Sequence, residues 1–100
     1  MSHLESVPAA DWEAWSTEHD AVILDVREPE EWTLGTLPGS TLIAMSDLMG
    51  RLDDLDKERP VLCVCRSGAR SAQVAMYLAG NGFTRVANMA GGVKALGMQD

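Results

Sequence analysis

A parallel α/β fold is predicted by three features of this sequence. Two short apolar runs rich in β-branched residues, 21–26 and 61–64, are continuous rather than alternating, so their strands should be covered on both faces. Stretches with apolar residues at helical spacing lie between such runs. Glycine and proline punctuate the chain between the two kinds of segment. Alternation of this type belongs to a parallel sheet with helices packed on it.

The elements follow in chain order. A first strand is expected near Val7. Residues 9–18 open behind Pro8 and set Trp12 and Trp15 three apart, the apolar face of a helix that packs on the sheet. Residues 21–26 form a second strand, which leaves the core at the charged stretch from Arg27 to Glu31. The turn-rich Gly35-Thr36-Leu37-Pro38-Gly39-Ser40 leads to a third strand, 41–44. Ser46 is placed to cap a helix running to about Leu55 on a stripe of Leu48, Met49, Leu52 and Leu55, and residues 53–59 then face water. After Pro60 comes the strand 61–64. From Ser71, the spacing of Val74, Ala75, Leu78 and Ala79 spells a helix ended by Gly80 or Gly82. Residues 83–87 supply a fifth strand, and Gly91-Gly92-Val93 opens a last short helix.

Bulk properties narrow the function. A chain of 100 residues, 46% hydrophobic and 23% charged, has the size and composition of one globular domain, taken as residues 1–100. A net charge of -7 and a pI near 4.6 argue against nucleic acid and anionic membranes as partners, since both need clustered Lys and Arg. No apolar run approaches the roughly 20 residues that span a bilayer, and residues 1–10 show no basic region followed by an apolar stretch, so a cytoplasmic location is expected. Cys63 and Cys65 are one residue apart in an extended run, which separates their Cα atoms by about 6.6 Å, close to the limit for a disulfide. Neither they nor His3 and His19 have the companions that a metal site needs, and no cofactor is called for.

The chemistry is concentrated in Cys65-Arg66-Ser67-Gly68-Ala69-Arg70-Ser71, between a strand and a helix. Ligands of parallel sheets bind beyond the carboxyl ends of the strands, where Asp25-Val26-Arg27 should also lie. A cysteine there meets the free amides and positive dipole end of the next helix, and both favour thiolate. Arg66 and Arg70 are expected to lower its pKa further below the free value of roughly 8.5. Gly68 permits the tight turn, Ser67 and Ser71 offer hydroxyls, and Ser71 is a candidate helix cap. The loop as a whole is an anion-binding nest with a nucleophile at its centre.

Asp25-Val26-Arg27-Glu28-Pro29-Glu30-Glu31-Trp32, Leu37-Pro38-Gly39-Ser40, the Cys65 loop and Gly91-Gly92-Val93 occur in the order seen in rhodanese domains. From about Val7 to Leu96 the chain resembles a single-domain rhodanese. The resemblance implies a three-layer fold, with a roughly five-stranded parallel sheet flanked by helices on both faces. It also implies a sulfurtransferase in which Cys65 takes sulfane sulfur from a donor such as thiosulfate, holds it as a persulfide, and yields it to cyanide or a thiol. Arg66, Ser67, Gly68, Ala69, Arg70 and Ser71 would bind the substrate, with Asp25 and Arg27 as candidate supporting residues. A sulfur-relay or regulatory module, loaded by another protein's persulfide, is the alternative. Phosphatases and arsenate reductases of similar fold use Cys-x5-Arg, whereas Cys65 and Arg70 give Cys-x4-Arg, a tighter ring suited to one sulfur atom rather than a phosphoryl group.

Several residues also have plain structural readings. Cys63 in an apolar strand reads as packing, and Asp25 as a turn cap or the partner of an arginine. His3 and His19 read as exposed or capping residues. Trp12, Trp15, Trp32 and the six methionines read as core, and 53–58 as a solvated acidic face. Two positions depart from the family pattern: Thr36 stands where many members have histidine, and Leu96 where many have tryptophan.

Overall fold

The computed structural model describes residues 3–98, and of His3 only the backbone, so the role expected of its side chain lies outside the described residues. Five parallel strands form one sheet: β1 (His3–Pro8), β2 (Val22–Asp25), β3 (Thr41–Leu42), β4 (Val61–Val64) and β5 (Arg85–Ala90), in the order β1-β5-β4-β2-β3. Three α-helices, α1 (Trp12–His19), α2 (Pro29–Trp32) and α3 (Ala69–Ala79), join 3-10 segments at Ala9–Asp11, Met45–Asp54 and Val93–Leu96.

Successive residues of a strand point to opposite faces, so the apolar runs serve two cores. Leu24, Val61 and Cys63 face one side with Val74, Ala75 and Leu78 of α3, Leu48 and Phe83. Ile23, Leu62 and Val64 face the other with Ala9, Leu37 and Val93, and Trp12, Trp15 and Leu96 pack against them half-buried. This division is the three-layer arrangement expected from the uninterrupted runs. It places β4 at the centre, fully buried along its length, with Cys65 directly beyond its carboxyl end.

The departures from expectation have local causes. The first helix is split, with a 3-10 turn at Ala9–Asp11 before α1. Ser46 does not cap the helix after β3; Ala44 precedes the segment, the Ser46 hydroxyl donates instead to the Glu28 carboxylate, and Arg51 breaks the helical path. Met49 is consequently 76% exposed rather than part of the buried stripe, and Met76 also lies in solvent. The third strand is only two residues long, although the Ile43 amide still donates to the Asp25 carbonyl. Helix α3 starts at Ala69, two residues early, because Gly68 takes a positive φ of 98° that turns the chain into the helix; Ser71 is inside the first turn and caps nothing. The fifth strand is displaced to Arg85–Ala90, with Phe83 buried ahead of it. His19 is not exposed: its ring packs on Trp15 at 4.6 Å and meets Arg85 at the amino-terminal end of β5, across the sheet from Cys65.

The charged stretch after β2 also differs from the expected exit into solvent. Arg27 is completely buried, as is Asp25, and the two form an ion pair with Nη2 to Oδ2 at 2.7 Å and Nε to Oδ1 at 3.0 Å. Nη2 also donates to the Gly35 carbonyl at 2.7 Å, and Nη1 donates to the Glu31 carbonyl at 3.4 Å. These bonds fold the segment back over the end of the sheet, where Pro29 starts α2 and Glu28 and Glu31 cap it reciprocally. The reading of Asp25 as the partner of an arginine is thereby borne out. Removing only the carboxylate strands a buried cation, so Asp25→Ala should cost about 3–5 kcal/mol in urea unfolding, and Asp25→Leu with Arg27→Met should recover much of it. A negligible loss in Asp25→Ala would mean that the two carbonyls alone satisfy the guanidinium.

Candidate active site

Cys65 lies at the floor of the loop that joins β4 to α3. The residue itself presents no surface to water, while Ser67 and Ala69 at the rim are exposed. Its Sγ accepts from the Gly68 amide at 3.1 Å and the Ser71 amide at 3.3 Å, and lies 3.3 Å from the Ser71 hydroxyl. Burial pushes the thiol up, but the Ser71 hydroxyl and the amides of Ser71, Gly68 and Ser67 together hold its pKa below the ordinary value. Cys63, two residues earlier inside the strand, has the opposite fate: burial and the neighbouring Cys65 push it far up. Both cysteines are free.

The first peptides of the loop are oriented by where their carbonyls are held. Val93 donates its amide to the Cys65 carbonyl at 3.0 Å, and Lys94 donates to the Arg66 carbonyl at 2.9 Å. In a trans peptide the N–H points opposite to the C=O, so tying these two carbonyls to the back of the loop turns the Arg66 and Ser67 amides the other way, and the Ser67 amide bears on the sulfur. This contact requires Gly92 to touch the loop. A Cβ at Gly92 would overlap the Arg66 carbonyl, and its φ of +64° also disfavours a side chain.

The arginines are placed differently from expectation. Arg70 makes a two-pronged pair with Glu31, Nη1 to Oε1 at 2.7 Å and Nη2 to Oε2 at 2.8 Å. That pair holds the Glu31 carboxyl down to about 2, against the opposing effect of burial, and raises Arg70 in turn. Neither Arg66 nor Arg70 hydrogen-bonds the sulfur, so the lowered pKa of Cys65 owes more to oriented amides than to the two cations expected to cause it. Arg66 is half-buried, with no side-chain partner among the described residues. Asp25 and Arg27 also stay off the sulfur and instead build the wall that carries Glu31.

A buried thiol of lowered pKa thus sits among inward amides at the end of the central strand of a parallel sheet ordered 1-5-4-2-3. The Rhodanese-like domain family matches residues 9–99. The chain belongs to the rhodanese family. A putative sulfurtransferase of Bacillus subtilis, YtwF, is 38% identical over 95 residues, covering 95% of this chain and 91% of the relative. The thiosulfate sulfurtransferase GlpE of Pseudoalteromonas translucida is 32% identical, covering 78% and 74%. Among solved structures, a rhodanese-like domain protein from Staphylococcus aureus superposes with a TM-score of 0.82 at 34% identity, over 91% of this chain and 89% of that one.

In this rhodanese domain the amides of Ser67, Gly68 and Ser71 and the Ser71 hydroxyl bear on the Cys65 sulfur, while the Arg70 side chain turns to Glu31. Three contributors escaped sequence reasoning. Glu31 reads in sequence as part of a charged exit, because its capping box is closed by Glu28 rather than by the usual Ser, Thr, Asp or Asn. Gly92 belongs to a family motif and a helix start in the sequence, but its contact with the Arg66 carbonyl is visible only in the fold. Asn88, whose side chain bonds both Ser71 and Gly68, is a polar residue within a buried strand, and that incongruity was the available signal. Among the described residues no group of histidine, cysteine or acidic side chains is arranged to hold a metal, and no helix is long and apolar enough to cross a membrane.

The opposite environments of the two cysteines lead to a direct measurement. In the native protein one thiol should react with iodoacetamide, its rate rising with pH through a midpoint below the roughly 8.5 of a free cysteine. Peptide mapping should place the label on Cys65, with Cys63 labelled only after unfolding. Equal labelling of both in the native state would contradict the burial of Cys63.

Proposed function

We propose that this rhodanese domain transfers sulfane sulfur through a persulfide on Cys65. The observation that carries the reading is the convergence of the Gly68 and Ser71 amides on one sulfur whose pKa is lowered. In the first step the Cys65 thiolate attacks the outer sulfur of a donor such as thiosulfate. A bond forms between Sγ and that sulfur, the donor's S–S bond breaks, and sulfite leaves with the electron pair. In the second step cyanide or a thiolate attacks the terminal sulfur, and Sγ departs as thiolate. Inward amides suit both stages, since negative charge moves between Sγ and the terminal sulfur without leaving the ring. The similarity to a thiosulfate sulfurtransferase supports thiosulfate as one donor.

A second reading, in which the physiological donor is the persulfide of another protein or of a small thiol, is favoured by the Glu31–Arg70 pair. With Arg70 committed, Arg66 is the loop cation left to meet the dianionic thiosulfate, in a protein whose net charge is already -7. A persulfide donor brings less charge and suits such a site better. The same pairing occupies the arginine that a phosphoryl-binding ring would use, which adds to the short loop as an argument against phosphatase or arsenate reductase chemistry. Thiol-based transfer of this kind suits a reducing compartment such as the cytoplasm.

Intact mass spectrometry tests the reaction. Wild type incubated with thiosulfate or a low-molecular-weight persulfide should gain one sulfur and lose it to cyanide as thiocyanate; Cys65→Ala should gain none. No adduct with either donor, or an adduct that survives Cys65→Ala, would remove the proposal. Glu31→Gln tests the donor class, because glutamine preserves the capping box while releasing Arg70. Its kcat/KM for thiosulfate should rise roughly 3- to 10-fold at low salt and fall back as salt is added. An unchanged value would show that the pairing does not limit thiosulfate.

A further inference from the structure

The Asn88 side chain joins the loop through two contacts whose polarity is fixed. Its Nδ2 donates to the Gly68 carbonyl at 3.2 Å, and its Oδ1 lies 2.5 Å from the Ser71 hydroxyl. A carbonyl only accepts, so the amide nitrogen must face Gly68 and the amide oxygen must face Ser71. That oxygen also only accepts, and the proton on the contact therefore belongs to Ser71. The register supports this placement: Asn88 sits beside Cys63 in the β4–β5 ladder, one step below the loop and on the α3 side of the sheet.

The consequence falls on Cys65. A hydroxyl has one proton, and the same Ser71 Oγ lies 3.3 Å from Sγ. While the proton is directed to Asn88, Ser71 presents a lone pair to the sulfur. A protonated thiol is satisfied by that arrangement, because S–H donates to Oγ. A thiolate is not, because it needs a donor there. We propose that Asn88 is a positioning residue that holds the Ser71 proton while Cys65 is a thiol and releases it to Sγ when the thiol ionises. No covalent bond is made or broken in Ser71: the thiol proton leaves to solvent, and the O–H turns from Asn88 Oδ1 to Sγ. Once sulfur is loaded the charge moves to the terminal atom, Sγ becomes a weak acceptor, and the hydroxyl returns to Asn88. The inference builds on the reading of Cys65 as the sulfur carrier, but the switch itself concerns only its ionisation.

Other charged groups lie around the same loop and must stay constant in a test. Arg66 lies in the loop, Arg70 at the start of α3 with Glu31 and Glu28 of the α2 wall behind it, Asp25 and Arg27 at the end of β2, and Lys94 in the segment that backs the loop. Cys63, below in β4, is neutral. None is altered by substitution at Asn88 or Ser71.

The experiment is the pH dependence of Cys65 alkylation by iodoacetamide in wild type, Asn88→Leu, Ser71→Ala and the double variant, with folding checked by urea unfolding. Loss of the competing acceptor frees the hydroxyl for the thiolate, so Asn88→Leu should lower the midpoint by about half a pH unit, roughly threefold in thiolate fraction below the midpoint. Ser71→Ala should raise it, and adding Asn88→Leu to Ser71→Ala should then change nothing. An unmoved midpoint in Asn88→Leu, or an equal shift with and without the Ser71 hydroxyl, overturns the proposal, the latter because the effect would run through the Gly68 contact. If Asn88→Leu does not fold, Asn88→Ala, which adds no bulk, takes its place under the same criteria. Alkylation needs no sulfur donor, so its outcome stands apart from whether a persulfide forms.

Discussion

Everything at the carboxyl end of β4 depends on two backbone hydrogen bonds that never touch the sulfur, from the Val93 and Lys94 amides to the Cys65 and Arg66 carbonyls. A loop of this length has more peptide dipoles than it has room to orient freely, and an inward carbonyl would repel a thiolate as effectively as an inward amide attracts it. Anchoring those two carbonyls to the segment after Gly92 settles the direction of the following peptides. It also explains why a glycine pair twenty-five residues downstream belongs to the same site: only a residue without Cβ lets that segment reach the loop backbone. The sheet order contributes by placing β5, which leads into the glycine pair, next to β4.

A second layer of support comes from charge that stays off the reacting atom. Asp25 and Arg27 are buried together, and the donors left on Arg27 pin the backbone at Glu31 and Gly35. Glu31 then caps α2 with Glu28 and holds Arg70. Substituting Asp25 or Arg27 leaves its partner a buried, uncompensated charge, and substituting Glu31 or Arg70 breaks the pair that ties α2 to α3. Its effect on the site is to fix the start of α3, where the amides of the first turn point at Sγ.

The sequence made the sheet legible wherever burial was two-sided, since a continuous apolar run such as 61–64 has no competing explanation; β4 occupies those same four residues. The loop was legible for a related reason, because a cysteine, a glycine and a serine at short spacing after such a strand have few places to go. What escaped was set by tertiary contact. A burial scale assigns Arg27 to the surface, and tertiary partners such as the opposing Asp25 and the Gly35 and Glu31 carbonyls make an interior position tolerable. Ser46 looked like a cap because it precedes an amphipathic stripe, yet Glu28, eighteen residues away, claims its hydroxyl. Arg70 differs likewise, since its guanidinium pairs with Glu31 of α2 and reaches Cys65 through charge alone, without a hydrogen bond to the sulfur.

The manner in which Cys65 is stabilised bears on its proposed role. A cation placed against the sulfur would favour thiolate, and it would also favour the charged form at one fixed position, whereas sulfur transfer moves the charge by one bond length at each step. Oriented amides tolerate that movement because several donors share the load and none is committed to a single atom. The hydroxyl of Ser71 adds the one donor able to turn, with Asn88 as its resting partner. In a protein with a net charge of -7, holding Arg70 away by Glu31 also keeps the ring from becoming a general anion trap. Selectivity for sulfur then rests on ring size and on dipoles aimed at a small, polarisable atom, and the loop does not need net positive charge to favour the thiolate over the thiol.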